Sequence, residues 1–380
     1  MTLTDLFSKV TFLLGAGASK DSKCFLSKDM LRSLRKDIDS EITDPTERKL
    51  QDHFKEIHDF VLASLHYQIT LRNSAIDSGA LSPNIEDFVA VVHQIIDKEY
   101  IVPYPLVGNW NDKISKWENV DKDIFIKFKK LIETLLRKKY LRHDKAANGG
   151  VLEPIKTLIS QTDEPFEMEV FTLNYDLTFE DNFNKKEEIL VYNGFEGNEW
   201  VGNYENHPQH LNYYKLHGSL DWYLDQREEC VKQATENETE FEPLIIFGSA
   251  IKMLSFDPFL FMLSKFREKL QQSLLYIVVG YSFHDKYINN LLIQQLAMVP
   301  ERKLLVIDPY QKSSEEFVQF LESVQKAKSI NDKINFTQIS AKKVDIEALT
   351  AEAFYKNYFN NSAAKLIEKV EELTKEDRPF

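Results

Sequence analysis

Five apolar runs in this chain each stop abruptly at glycine, a small residue or an acid. Val10–Leu14 ends at Gly15-Ala16-Gly17-Ala18-Ser19, and Met168–Leu173 ends at Asn174-Tyr175-Asp176. Leu244–Phe247 ends at Gly248-Ser249, Leu274–Val279 at Gly280-Tyr281-Ser282, and Lys303–Ile307 at Asp308-Pro309. Unbroken apolar runs of this length read as parallel strands buried on both faces, and an open α/β sheet presents the carboxyl ends of its strands to one crevice. Leu26–Ile38, with Leu, Met and Ile at helical spacing, follows the first turn. Strand, glycine turn and helix together open a nucleotide-binding α/β unit.

The text changes over residues 46–149. Phe54, Ile57, Phe60, Val61 and Leu65 share one helical face, as do Phe88, Val91, Val92, Ile95 and Ile96, and then Ile124, Phe128, Leu131, Leu135 and Leu136. The expected fold class is therefore α/β, a Rossmann-like parallel sheet with helices on both faces plus a mainly helical insertion domain. The expected domains are 1–45 with 150–335, 46–149 as the insertion, and 336–380 as a helical tail. Ile189–Tyr192 and Tyr213–Leu216 read as further strands, and Asp225–Glu242 as an exposed acidic loop. The amphipathic tail, Ile346–Leu373, is left to pack on the core or on another subunit.

With 380 residues and 43% hydrophobic composition, the chain can bury a large core. Its net charge of −13 disfavours general binding to phosphate backbones, so nucleic acid is expected only through a complex. Cys24 and Cys230 make neither a disulfide framework nor a CxxC zinc pair. No signal peptide is read at the N-terminus, and the longest apolar run, Leu274–Gly280, is too short to span a bilayer. A cytoplasmic protein without a membrane partner is expected.

Each motif has a functional and a structural reading. The turn Gly15, Ala16, Gly17, Ala18, Ser19 suits pyrophosphate: its glycines let backbone N–H groups close on the phosphates, and the Ser hydroxyl adds a donor. It lacks the third glycine of the dehydrogenase fingerprint. Asn174 would hold a ribose or a catalytic water and Asp176 would orient it, or both would merely cap the next helix. His217 has the proton affinity of a general base, and Gly218 leaves little bulk beside its ring, although most histidines are structural. Asp285 follows the Gly280-to-Ser282 turn as a ligand contact or as an N-cap, and Asp308 accepts from a nucleoside or ends a strand. His207, His210 and His217 form no metal cluster, and no metal is expected.

The order of these motifs resembles that of the SIR2-like (sirtuin) superfamily. Gly15–Ser19 is similar to its GAGxS turn. Thr172, Asn174 and Asp176 are similar to its TQN-x-D, with Leu173 replacing Gln, and His217-Gly218 resembles its catalytic HG. Phe247-Gly248, with Ser249, and Gly280 to Ser282 are similar to its later turns. Asn84-Ile85-Glu86-Asp87-Phe88 resembles a string in SIR2-like bacterial anti-phage proteins, above all the subunit encoded beside a HerA-type ATPase. The resemblance implies NAD bound at Gly15 to Ser19, Thr172, Asn174, Gly248, Ser249, Gly280, Ser282, Asp285 and Asp308, with Asn174, Asp176 and His217 catalytic.

Sirtuin deacetylases carry a four-Cys zinc module, which two cysteines cannot build, so deacetylation is the least favoured activity. The resemblance then implies a NAD+ glycohydrolase, with NAD as substrate, giving ADP-ribose and nicotinamide in anti-phage defence. It also implies large homo-oligomers and gating by a HerA-type ATPase. A non-catalytic NAD or ADP-ribose sensor, or a nuclease within the complex, is the alternative.

Overall fold

A computed structural model describes residues 1–42, 45–73, 83–96, 110–141, 152–161, 165–183, 190–204, 209–225, 227, 229–235, 238, 241–246, 256–299, 301–309, 315–331, 344–347 and 349–375. Two compact units emerge: Met1–Cys24 with His143–Ile245 and Met253–Phe380, and Phe25–Arg142 with Ile246–Lys252.

In the first unit the strands are β1 (Val10–Leu14), β2 (Phe166–Thr172), β3 (Leu190–Tyr192), β4 (Gly194–Glu196), β5 (Glu199–Asn203) and β6 (Gln209–Lys215). After them come β7 (Trp222–Asp225), β8 (Cys230–Gln233), β9 (Leu275–Val279), β10 (Lys303–Ile307) and β11 (Val344–Glu347). Seven form one sheet in the order β11-β10-β9-β1-β2-β6-β3, and every pairing is parallel. β1, β9 and β10 are buried at every position, as their apolar runs require.

Alternate residues of these strands feed opposite faces. Phe12 and Leu14 join one cluster with Phe7, Leu158, Phe354, Tyr358, Leu366 and Val370. Leu13 joins the other with Met262, Phe266, Leu292, Phe317 and Phe320. The sheet is thus covered on both faces, as expected for this α/β class. β1 lies where the strand order reverses, with β2, β6 and β3 on one side and β9, β10 and β11 on the other. In open α/β sheets the ligand crevice forms outside the carboxyl ends at such a point.

Four strands pair differently. β4, β5, β8 and β7 make a separate antiparallel sheet, whose ring-to-ring contacts Trp200–Phe261 (5.8 Å) and Tyr204–Phe261 (5.7 Å) hold it to the helix Phe259–Gln272. This corrects the expected loop over Asp225–Glu242, which contains β8; its polar faces hide the alternation. Leu244–Phe247 is likewise no strand of the parallel sheet. Ile245 makes only an isolated antiparallel bridge to Gly218, and Phe247 lies outside the described residues. The tail is not purely helical. β11 extends the sheet, and the helices Ala351–Tyr358 and Asn360–Lys375 then bury Phe354, Tyr358, Leu366 and Val370 in the sheet's own core.

The second unit is helical. Helix Ser27–Glu41 buries Met30, Leu31, Leu34 and Ile38 and packs on Gln51–Asn73, Ile85–Ile96 and Ile124–Leu135. The helix expected over Leu26–Ile38 spans Ser27–Glu41, and the glycine turn ahead of it runs into a 3-10 turn, Ala16–Ser22. Asn84 Oδ1 accepts the amides of Glu86 (2.8 Å) and Asp87 (3.1 Å), and Asp87 Oδ2 accepts that of Asn84 (3.3 Å). The Asn84–Phe88 string is therefore a reciprocal helix cap. Phe128 is fully buried, stacked on Phe54 at 5.4 Å and edge-on to Phe88 at 6.2 Å. Phe128→Ala should lower unfolding free energy by about 3–5 kcal/mol in chemical denaturation, and a loss below about 1 kcal/mol would mean that Phe128 does not anchor this cluster.

Candidate active site

The carboxyl ends of β10, β9, β1, β2 and β6 bring most of the expected site residues to one edge of the sheet. From β1, the glycine turn is bound to its neighbour by backbone. Gly15 N–H donates to Val279 O (2.9 Å) and Gly17 N–H to Gly280 O (2.8 Å), while Ala18 N–H donates back to Gly15 O (2.9 Å). A Cβ on Gly17 would lie 2.7 Å from Gly280 Cα, and one on Gly280 would lie 2.4 Å from both Gly17 C and Ala18 N. Gly280 is also at φ +61°. These glycines serve a backbone crossing first. Three amides of the turn expected to cradle phosphates, those of Gly15, Gly17 and Ala18, bond within the protein. Ala16 is the exposed residue of the turn.

From β2 come Asn174 and Asp176, both buried. The Asn174 Nδ2 protons go to Gly15 O (3.0 Å) and Ser19 Oγ (3.0 Å), and its backbone amide donates to Thr172 Oγ1 (3.1 Å). Gly15 O can only accept, so the amide orientation is fixed and Oδ1 is the atom left for a ligand. Ser19 Oγ passes its single proton to Asp176 Oδ1 (3.1 Å), which also accepts Thr178 N–H (3.0 Å). Ser19 is therefore no phosphate donor in this arrangement, and Asp176 does cap the short helix Thr178–Phe183. Cys24 Sγ lies 3.6 Å from Thr178 Oγ1. Burial, with Asp176 adding to it, pushes this thiol up to about 12, so it is no nucleophile at neutral pH.

From β6 comes His217, with Nε2 at 3.0 Å from Asp285 Oδ2. Tyr175 stacks near its ring, 6.3 Å between centroids. Gly218, at φ +86°, does not open space beside the imidazole as expected. A Cβ there would fall 2.0 Å from Leu244 O, so the glycine lets the 244–245 segment cross. Asp285 begins the helix Lys286–Met298, and its Oδ1 accepts the amides of Tyr287 (2.8 Å) and Ile288 (3.3 Å). Phe283, at φ +57°, is held in that strained turn by the rings of Tyr281, Phe317 and Phe320.

Of the remaining expected contacts, Ser282 is exposed and Asp308 is half-buried one residue past β10. Gly248 and Ser249 lie outside the described residues. Among the described residues no group of three or more His, Cys, Asp and Glu could hold a metal ion, and no helix is long and apolar enough to cross a membrane.

Sequence reasoning missed the pair behind this edge. Lys215 Nζ, fully buried, donates to Glu180 Oε1 (2.7 Å) and Asp176 O (2.6 Å), and more weakly to Tyr175 O (3.4 Å). It thereby holds the backbone of the Asn174–Asp176 loop from below. The available signal was a lysine ending a strand of buried aromatics, which has to find a partner. Burial pushes the Glu180 carboxyl up to about 7, against the pull of Lys215 and with a push from Asp221. Glu180 Oε2 has no partner.

Residues 168–328 match the SIR2-like domain family. No curated protein matches the chain. Among solved structures, one on the structural basis of sirtuin substrate affinity is 12% identical, covering 95% of this chain and 93% of that one at a TM-score of 0.35. A Sir2 complex with a p53 peptide and NAD+ is also 12% identical, covering 93% and 94% at 0.34. Scores of this size do not themselves establish a shared fold.

Two outcomes follow from this geometry. Gly280→Ala should cost at least about 2 kcal/mol in denaturant unfolding, since strain at φ +61° adds to a backbone clash; near-neutral stability would mean that the two turns part easily. A carboxyl raised in the folded state stabilises below its ordinary value and loses that contribution as pH rises. Between about pH 4.5 and 7 the wild type should therefore lose up to about 3 kcal/mol relative to Glu180→Gln. An opposite slope would mean that Lys215 outweighs burial.

The span that matches the SIR2-like domain carries Asn174, Asp176, His217 and Asp285 on one sheet edge, and on that footing the chain is similar to the SIR2-like superfamily over residues 168–328.

Proposed function

We propose that this chain is a NAD+ hydrolase that cleaves the nicotinamide–ribose bond, working in anti-phage defence with a HerA-type ATPase and further copies of itself. One observation carries the chemistry. The Asn174 amide is fixed with Oδ1 outward, on the same edge as a histidine whose Nε2 is held by a carboxylate. Both offer acceptors to a ligand, and that suits a reaction that builds positive charge on a sugar and takes a proton from water.

The balance is simple. The bond from C1′ to the pyridinium nitrogen breaks, and its electron pair leaves with neutral nicotinamide. Water then adds to the oxocarbenium carbon, and one proton is released. Asn174 Oδ1 would orient the water or the ribose hydroxyls, and His217 would take the proton. Acceptor dipoles aimed at the sugar stabilise the cation as it forms. Asp176, through Ser19, keeps Asn174 in register. Deacetylation is disfavoured because two cysteines cannot build the four-Cys zinc module of sirtuin deacetylases. Gating by the ATPase and assembly rest on the sequence resemblance.

The experiment is nicotinamide release from NAD by the purified chain, alone and with its co-encoded ATPase. Release should appear in at least one condition. His217→Ala and Asn174→Ala should each cut it by about 100-fold or more. Asn174→Ala should also lose about 1–3 kcal/mol of stability, because two buried hydrogen bonds go, one leaving Ser19 Oγ without the Asn174 donor and one leaving Gly15 O with Ala18 N–H alone. Intact NAD under every condition would leave a sensor of NAD or ADP-ribose; metal-dependent DNA cleavage by the complex would leave a nuclease.

A further inference from the structure

We infer that Asp285 is the positioning residue of His217, fixing which ring nitrogen carries the proton and which faces the ligand. The inference rests on the hydrolase reading for its consequence and on geometry for its substance. An ionised carboxylate can only accept, so the 3.0 Å contact from Asp285 Oδ2 requires the proton on Nε2. In the neutral ring, Nδ1 is then the lone-pair nitrogen. Among the described residues Asp285 is the only polar side chain found on this imidazole, and Tyr175 stacks near its face.

The placement of Asp285 is costly and specific. His217 follows β6 and Asp285 follows β9, and β1 and β2 lie between them in the sheet. The pair must therefore bridge about 14 Å of strand ends, three spacings of about 4.8 Å, past the two strands that lead into Gly15 and Asn174. It does so because the 280–285 turn bends through two positive-φ residues, Gly280 and Phe283. The Phe283 carbonyl is held by Asn289 Nδ2 (2.7 Å), while the single proton of Tyr281 Oη is shared between Asn289 Oδ1 (2.8 Å) and Asp285 O (3.1 Å). Asp285 itself divides its oxygens, Oδ1 to the amides that open the helix and Oδ2 to the imidazole. A plain N-cap needs one oxygen and no such turn.

Asp285→Asn separates the two duties. Asparagine still caps the helix through Oδ1, but turns an N–H toward Nε2 and so drives the ring proton to Nδ1. The test is nitrogen-resolved NMR of the His217 ring together with nicotinamide release, on wild type, Asp285→Asn and Asp285→Ser, with thermal unfolding as the control. Wild type should hold the proton on Nε2 and Asp285→Asn on Nδ1. The kcat of Asp285→Asn should fall by about 100-fold or more with KM little changed, the pattern of a base presented in the wrong tautomer. Asp285→Ser, which keeps a capping oxygen but reaches less far, should show a mixture of tautomers, and it carries the test should Asp285→Asn fail to fold. A ring that keeps its proton on Nε2 in both variants overturns the inference, as does wild-type kcat in a variant with inverted tautomer. A wild-type protein that never releases nicotinamide, yet shows the inversion, removes the hydrolase and leaves the positioning of His217 standing.

Discussion

Gly17 lies against Gly280 with no room for a single methyl group between them, and the rest of the site is arranged around that crossing. It ties the turn after β1 to the turn after β9 through Gly17 N–H and Gly280 O. With the turn drawn that way, Gly15 O faces the end of β2, where Asn174 takes it. Ser19 is then left beside Asn174 and Asp176, and a directed chain of hydrogen bonds runs from amide to hydroxyl to carboxylate. A bulkier residue at either crossing point would separate the turns and release every later member of that chain.

Burying a polar group is costly unless it is bonded, and apart from Glu180 Oε2 this edge bonds its buried groups on two levels. Below the loop, Lys215 gathers the carbonyls of Tyr175 and Asp176 and the Glu180 carboxylate, so the loop backbone is held from the side away from the ligand. Above it, Asp285 ties the imidazole to a helix terminus. The lower pair sets the height of the loop and the upper pair sets the ring. The strands β1, β9 and β10, for their part, are buried at every position.

The parallel sheet was legible because buried strands leave an unmistakable mark, an apolar run ended by glycine, asparagine or aspartate. β1, β2, β9 and β10 all carry it. The antiparallel strands were not, because a half-exposed run such as Cys230–Gln233 mixes charges with apolar residues and reads as loop. Leu244–Phe247 misled for the opposite reason: Leu244 and Ile246 pack as apolar side chains, but Ile245 makes only an isolated bridge. At the site, residue types and order were readable, but hydrogen-bond direction was not. Nothing in Gly-Ala-Gly-Ala-Ser states that its amides face Val279 and Gly280, and nothing in Asp285 states that one oxygen caps while the other reaches β6.

Direction is what gives the edge its chemical character. The donors of Gly15, Gly17, Ala18, Ser19 and Asn174 all end on protein acceptors. Among the described residues, Asn174 Oδ1 and, once Asp285 has taken Nε2, the lone pair of His217 Nδ1 stay open as acceptors. On the proposed reading this edge serves the ribose end, where charge would turn positive as the bond to nicotinamide lengthens and an attacking water would give up a proton. Preorganised acceptors cost no reorientation at that moment, because the crossing at Gly17 and Gly280 has already placed them.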